Sequence, residues 1–285
     1  MTLVVDLPGL LTLLQDQGRP GLGHLGVSRS GAFDRTALRQ ANLILGNQPG
    51  AAALEALGGG LALRAEAPVI VSVTGAVGAI TIDGAPAAYG RAVPLGRGQR
   101  LGIGSPNTGL RAYIGVSGGF QVPPELGSRS TDTLAGLGPA PLAAGDRLDV
   151  GVRQPTPDLE DVPPLGRSAE LTLAVAIGPR DDWFAAGAVD LLLESAWQVT
   201  PASNRVGVRL AGPPLERSRS EELPSEPCMR GSIQVSADGQ PVVFGPDHPV
   251  TGGYPVIAVV LDRHTDRLAQ AAPGQILRFR RVPQR

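Results

Sequence analysis

Along most of the chain, apolar and polar positions alternate with a period of two, in short runs closed by Gly, Pro, Asn or Asp. That is the pattern of half-buried strands joined by tight turns. The clearest runs are PVIVSVTG from Pro68, GAITIDG from Gly78, QRLGIG from Gln99, LRAYIGVSGG from Leu110, LTLAVAIG from Leu171, GSIQVSADGQPVVFG from Gly231 and PVIAVVL from Pro255. The period lengthens to that of a helix in few places. Asp34 is placed as an N-cap for RTALRQANLIL, with Leu38, Ala41 and Leu45 on one face and Gly46-Asn47 as the stop. Shorter helices are predicted in RDDWFAAG after Pro179 and in DRHTDRLAQ before Pro273.

One local device recurs. PLGRGQRLGIG (Pro94 to Gly104) and PLAAGDRLDVG (Pro141 to Gly151) share a glycine followed by an amide or carboxylate residue and then strand alternation, and APGQILRF (Ala272 to Phe279) echoes them. We read all three as corners that lead into strands; their irregular spacing excludes a stacked solenoid repeat. Between Val152 and Ser168 the chain turns proline-rich and acidic, with little to bury, which reads as a linker at 153–168. The prediction is a mainly β protein with an N-terminal domain over 1–152 and a C-terminal domain over 169–285.

Composition narrows the function. The 39 glycines and 27 prolines fit many turns, while 42% apolar content is too high for disorder. A formal net charge of -1 offers no footprint for nucleic acid or an anionic membrane. No apolar run reaches the roughly 20 residues of a membrane-spanning helix, and the N-terminal residues lack a basic leader, so a cytoplasmic protein is expected. All 25 basic residues are arginine. Without lysine there is no Schiff base, no Walker lysine and no attachment point for biotin, lipoate or pyridoxal phosphate on this chain. Cationic work falls to arginine, which grips carboxylates and phosphates with paired hydrogen bonds. Cys228 stands alone, and the histidines His24, His248 and His264 have no metal-ligand spacing, so no metal site is expected.

Several polar clusters carry candidate chemistry. TLLQDQGRPGLGHLGVSRSGAFD gathers Asp16, Arg19 and Asp34 among glycines. It reads either as a wide loop closing on a capped helix, with Asp16 and Arg19 as a local ion pair, or as a surface facing a small anion. In SNRVGVRL, alternation on a strand places Arg205, Gly207 and Arg209 on one face, solvated or facing a ligand. In SEPCMRGSIQV, Glu226 reads as a general base, as a partner for Arg205, or as part of a surface loop. DHPVTGGYPVIAVV puts Thr251, Gly252, Gly253 and Tyr254 at the mouth of an apolar strand, one glycine more than a tight turn needs.

Taken in order, TLLQDQGRPGLGHLGVSRSGAFD, ANLILGN, SNRVGVRL, SEPCMRGSIQV, GQPVVF and TGGYPVIAVV resemble the family of 5-oxoprolinase C-type subunits over essentially the whole chain. That family is also called the biotin-dependent carboxyltransferase family, KipA-like, or allophanate hydrolase subunit 2. The resemblance implies a cyclophilin-like β-barrel architecture, two related barrels with a few short helices, and a non-autonomous enzyme component. It implies two 5-oxoprolinase partners, a KipI-like B-type chain and an A-type chain, which together with it open 5-oxoproline to glutamate with ATP. It equally admits a carboxyltransferase component acting on urea or another amide, or a KipA-like regulator that binds a KipI-like partner. On this resemblance Arg205 or Arg209 holds the substrate carboxylate, while Asn204 and Gln234 orient the amide. Gly252 and Gly253 bring backbone amides to an oxyanion beside Thr251, Tyr254 completes the wall, and Glu226 is the base.

Overall fold

The structure is a computed structural model that describes residues 1–157, 161–166, 168–219 and 221–282. The chain divides into two compact units: Met1–Arg19, Ser30–Asp132 and Gly136–Arg167 form the first, and Pro20–Arg29, Thr133–Ala135 and Ser168–Arg285 the second. The proline-rich stretch 153–168 lies partly outside the described residues. Where described it has neither helix nor strand, and Gln154 N donates to Ser117 Oγ at 3.0 Å and Val162 N to the Gly90 carbonyl at 2.9 Å.

The first unit is a nine-stranded, curled antiparallel sheet. Its strands are β1 (Thr2–Pro8), β2 (Leu11–Gln15), β3 (Ala53–Leu57), β4 (Leu61–Ala65), β5 (Val69–Ile82), β6 (Ala85–Pro86), β7 (Val93–Leu95), β8 (Arg100–Val116) and β9 (Arg147–Asp149). The order is β2-β3-β8-β4-β1-β9, and β5 pairs with β6, β7 and β8. Two expectations change here. Each pair of short runs, 68–75 with 78–84 and 99–104 with 110–119, is one long strand, β5 and β8, and four further strands precede Pro68. The glycine interruptions that read as turns are bulges: the β5–β8 register slips three times between Gly75 and Ile80, which bends both strands without parting them. Helix α1 (Arg35–Ile44) forms as predicted. Asp34 sits in extended backbone and its carboxylate accepts from Ala37 N at 2.9 Å, while Ala37, Leu38 and Ala41 pack against Ala53 and Tyr113.

The second unit contains a closed seven-stranded barrel. Its strands are β10 (Glu170–Ile177), β11 (Trp197–Val199), β12 (Gly207–Ala211), β14 (Ser232–Val235), β15 (Pro241–Phe244), β17 (Val256–Val260) and β18 (Ile276–Arg281), with a separate two-stranded ribbon of β13 (Glu226–Pro227) and β16 (Thr251–Gly252). Neighbours are antiparallel except β10 and β18, whose parallel pairing closes the ring. The expectation of barrel architecture therefore takes two forms, one closed barrel and one curled open sheet. Trp197, Leu173, Val175, Val235, Val243, Ile257 and Leu277 fill the barrel, each no more than 1% exposed. The segment predicted as helix after Pro179 makes only a single tight turn at Asp181–Trp183, because α2 (Ala188–Glu194) begins just beyond it, after Gly187. The helix predicted before Pro273 is α3 (Asp262–Leu268).

The three corner sequences fold alike. Gln99 N, Asp146 N and Gln275 N each donate to the carbonyl three residues back, of Gly96, Ala143 and Ala272. The side chains of the same Gln99, Asp146 and Gln275 accept from those residues' N–H groups. Gly98, Gly145 and Gly274 take φ of 82°, 92° and 88°, the left-handed value this turn requires at its third residue. Each glycine N–H then donates to a neighbouring strand, at Ala65, Val5 and Val199.

Candidate functional site

Within the second unit the ribbon pairs Glu226 with Gly252 and Pro227 with Thr251. Beside it, the β14–β17 register slips between Ile233 and Gln234, and this irregularity falls at the one polar side chain of the central β14 positions. Gln234 Nε2 donates to the Tyr254 carbonyl at 3.0 Å and lies 3.6 Å from Cys228 Sγ. Arg217 Nη2 donates to the Val235 carbonyl at 2.6 Å, and its guanidinium carbon stands 5.2 Å from the centre of the Tyr254 ring. Arg180 closes on Glu226, with Nε 2.9 Å and 3.0 Å from the two carboxylate oxygens and Nη2 also in contact. Tyr254 is 47% exposed, so this cluster has a rim open to solvent.

The geometry answers why two glycines stand here. A Cβ on Gly252 would lie 2.5 Å from Gln234 Nε2 and 3.1 Å from Cys228 Sγ, whereas one on Gly253 would meet nothing closer than the Leu223 carbonyl at 3.4 Å. The first glycine is a close-approach site and the second is not. Gly252→Ala is therefore expected to lower stability by about 1–3 kcal/mol by driving Gln234 off the Tyr254 carbonyl. Gly253→Ala is expected to stay within about 0.5 kcal/mol of the parent. Urea unfolding of the two variants side by side checks this; equal effects would remove the steric explanation.

The remaining candidates fall in other places. Arg205 is 3% exposed and already holds a carboxylate: Nε and Nη2 each lie 2.9 Å from an oxygen of Asp247, which is fully buried. Asp247 also accepts from Thr133 N at 2.9 Å and Thr133 Oγ1 at 2.7 Å. Glu226 pairs with Arg180 and not with Arg205. Arg209 points to solvent from β12, so the two arginines expected on one face are separated by burial. Asn204 spends its side-chain oxygen on Val206 N and Gly207 N, an Asx turn leading into β12. Thr251 is exposed on the ribbon. The Cys228 thiol is pushed up from its ordinary pKa by burial, and then by the charge of Glu226, which opposes a role as a thiolate nucleophile.

In the first unit Asp16 and Arg19 do not pair with each other. Asp16 Oδ1 accepts from Ser128 Oγ and Ser130 Oγ at 2.6 Å and from Gly18 N at 2.7 Å, and Oδ2 accepts from Arg129 N at 2.7 Å. Arg19 is 1% exposed and donates through Nη2 to the Ser130 carbonyl at 2.6 Å. Both therefore tie the N-terminal glycine-rich segment to the 125–131 loop. Behind α1 lies a network that the sequence reading missed. Buried Glu55 accepts from Phe33 N at 2.9 Å and Tyr113 OH at 2.5 Å, Tyr113 OH accepts from Asp34 N at 2.7 Å, and Arg111 Nε lies 3.5 Å from Glu55. Burial, reinforced by the carboxylates of Glu55 and Asp34, pushes the Tyr113 phenol well above its ordinary pKa. The alternation of LEAL and RAYIGV was the available signal, with charged residues on otherwise apolar strands.

Among the described residues, no group of three His, Cys, Asp or Glu side chains could hold a metal ion, and no helix is long and apolar enough to cross a membrane. The carboxyltransferase domain, subdomains A and B, matches residues 25–281. The C-type subunit of 5-oxoprolinase from Escherichia coli K12 is 37% identical over 275 residues, which cover 95% of this chain and 88% of that protein. The crystal structure of the urea amidolyase of K. lactis superposes with a TM-score of 0.92 at 30% identity, covering 99% of this chain and 19% of that one, so the chain spans about a fifth of that protein. The crystal structure of TTHA0988 gives a TM-score of 0.89 at 33% identity, covering 98% of this chain and 56% of the other.

Proposed function

Because the chain belongs to the carboxyltransferase-domain family that includes the C-type subunits of 5-oxoprolinase, we propose that it serves as the C-type component of an ATP-dependent 5-oxoprolinase. In this reading it works in the cytoplasm with a KipI-like B-type partner and an A-type partner to open 5-oxoproline to glutamate. The observation that carries the reading is the 37% identity to a protein of that name over 88% of its length. The complex uses ATP as co-substrate to activate the lactam oxygen before water attacks. We assign the nucleotide to the partner chains, since this chain has no lysine and no Walker pattern.

The residues of the second unit divide the work. Gln234, its Nε2 held by the Tyr254 carbonyl, presents a side-chain oxygen that accepts from no described residue and can take the lactam N–H. Gly252 permits that placement by leaving room for the amide. Glu226, held by Arg180, is a fixed carboxylate that accepts a proton from, and orients, the attacking water. Arg205 serves this site indirectly: by anchoring Asp247 it sets the start of the segment that runs to Tyr254. A second reading is favoured by the likeness to urea amidolyase, namely a carboxyltransferase component taking carboxyl groups from biotin carried on another chain or domain.

Coexpression with B-type and A-type partners tests both. The expected result is ADP and glutamate release that depends on 5-oxoproline and on all three chains and that avidin does not inhibit. Absence of that activity, together with avidin-sensitive carboxylation of urea from bicarbonate and a biotin carrier, would favour the second. A tight complex with the B-type partner and neither activity would leave the regulatory role of a KipA-like protein.

A further inference from the structure

Several arginine side chains in the second unit close on a carboxylate: Arg180 on Glu226, Arg205 on Asp247, Arg219 on Asp182 and Arg230 on Asp266. Arg217 does not. Its backbone is pinned, with Phe184 bridged to Arg217, Ala185 N donating to the Glu216 carbonyl at 3.0 Å and Ser218 N to the Trp183 carbonyl at 2.9 Å. Its side chain is pinned too, by the 2.6 Å bond to the Val235 carbonyl and by the Tyr254 ring. Yet Nε is buried without an acceptor, and Nη1 bonds no described residue. A guanidinium held in place, with spare donors, no carboxylate partner among the described residues and an aromatic ring beside it, is preorganised for an anion from outside the chain.

The neighbours define which anion. Gln234 and Tyr254 share a hydrogen bond, and Val235, whose carbonyl holds Arg217, follows Gln234 in β14, so the guanidinium and the amide are both tied to Tyr254 and to consecutive residues of β14. That pairing suits a small molecule carrying a carboxylate close to an amide N–H. We propose that Arg217, braced by Tyr254, is the anchor for the substrate carboxylate, the role that the family resemblance had given to Arg205 or Arg209. The identification of that substrate as 5-oxoproline rests on the function proposed above; the carboxylate site itself does not.

The three tyrosines of the chain allow a direct test, because Tyr89 and Tyr113 lie in the first unit and only Tyr254 in the second. The full chain, labelled with 13C-tyrosine, would be titrated with 5-oxoproline, with 2-pyrrolidone, the same ring without the carboxylate, and with acetate. The expected result is a saturable shift of the Tyr254 signal, with 5-oxoproline binding about 10- to 100-fold more tightly than 2-pyrrolidone. Arg217→Gln should abolish that preference and leave the fluorescence of Trp183 and Trp197, both in the second unit, unchanged as evidence of an intact fold. A preference that survives in Arg217→Gln, or a Tyr254 signal that no carboxylate moves, overturns the proposal. Acetate moving Tyr254 in an Arg217-dependent way, with 5-oxoproline inert, upholds the site and rejects the substrate. Turnover of 5-oxoproline unaffected by Arg217→Gln does the reverse.

Discussion

Asp247→Ala is expected to lower the unfolding free energy by about 3–5 kcal/mol, the cost of taking a bidentate carboxylate from a buried cation. The carboxylate has no exposed surface and accepts hydrogen bonds from both Arg205 and Thr133. Its removal leaves Arg205, 3% exposed, with the charge but without this partner. Against a typical total of about 5–15 kcal/mol, that is enough to unfold a large share of molecules at 37 °C. Both tryptophans, Trp183 and Trp197, lie in the second unit, so fluorescence during urea titration reads this transition. The midpoint should fall by about 1–2 M. Asp247→Asn, which keeps an acceptor but not the charge, should fall between the two. An Ala variant within about 1 kcal/mol of the parent would mean that Arg205 finds another counter-charge, and the pair would lose its standing as the anchor of the segment up to Tyr254.

Glu55→Ala is expected to cost about 3–5 kcal/mol in the first unit by a related route. One side chain there satisfies the Phe33 N–H, the Tyr113 hydroxyl and Arg111, and Arg111 lies over the Phe33 ring with its guanidinium carbon 4.6 Å from the ring centre. Removal takes this acceptor from buried Arg111 and from the Phe33 N–H, loosening the residues that lead into α1. Native-state hydrogen exchange should show the amides of Ala32 to Leu38 losing protection before those of β8. Glu55→Gln keeps the shape and one acceptor, so its cost should be smaller, though it leaves Arg111 without this counter-charge. Equal protection in Glu55→Ala and the parent would show that the network is dispensable.

Much of the fold was legible because its signals are local. The three corners could be recognised from a glycine and its Gln or Asp neighbour, since the turn is held by bonds spanning three residues. Asp34 as cap of α1 was legible for the same reason. The glycines of β5 misled, because Gly75 and Gly78 look the same in a turn and in a bulge; only the pairing with β8 distinguishes them. Helix α2 escaped because Gly187 offers no side-chain cap and its Leu191 is partly exposed.

The site divides along the same line. Thr251 to Tyr254, Gln234 and Glu226 were legible as polar or glycine positions out of place among strands. Their partners were not. Alternation grouped Arg205 with Arg209 on one face, solvated or facing a ligand, yet Arg205 meets Asp247 42 residues away, which in turn meets Thr133 114 residues away. By itself the sequence determined the kinds of element, the corners that join them and, through the absence of lysine, whole classes of chemistry this chain does not perform. Only the tertiary structure decided which arginine was spent internally and which was left for a ligand. Turn and strand preferences act over a few residues, whereas the choice of a charge partner depends on which carboxylate folding brings within about 3 Å and seals from water.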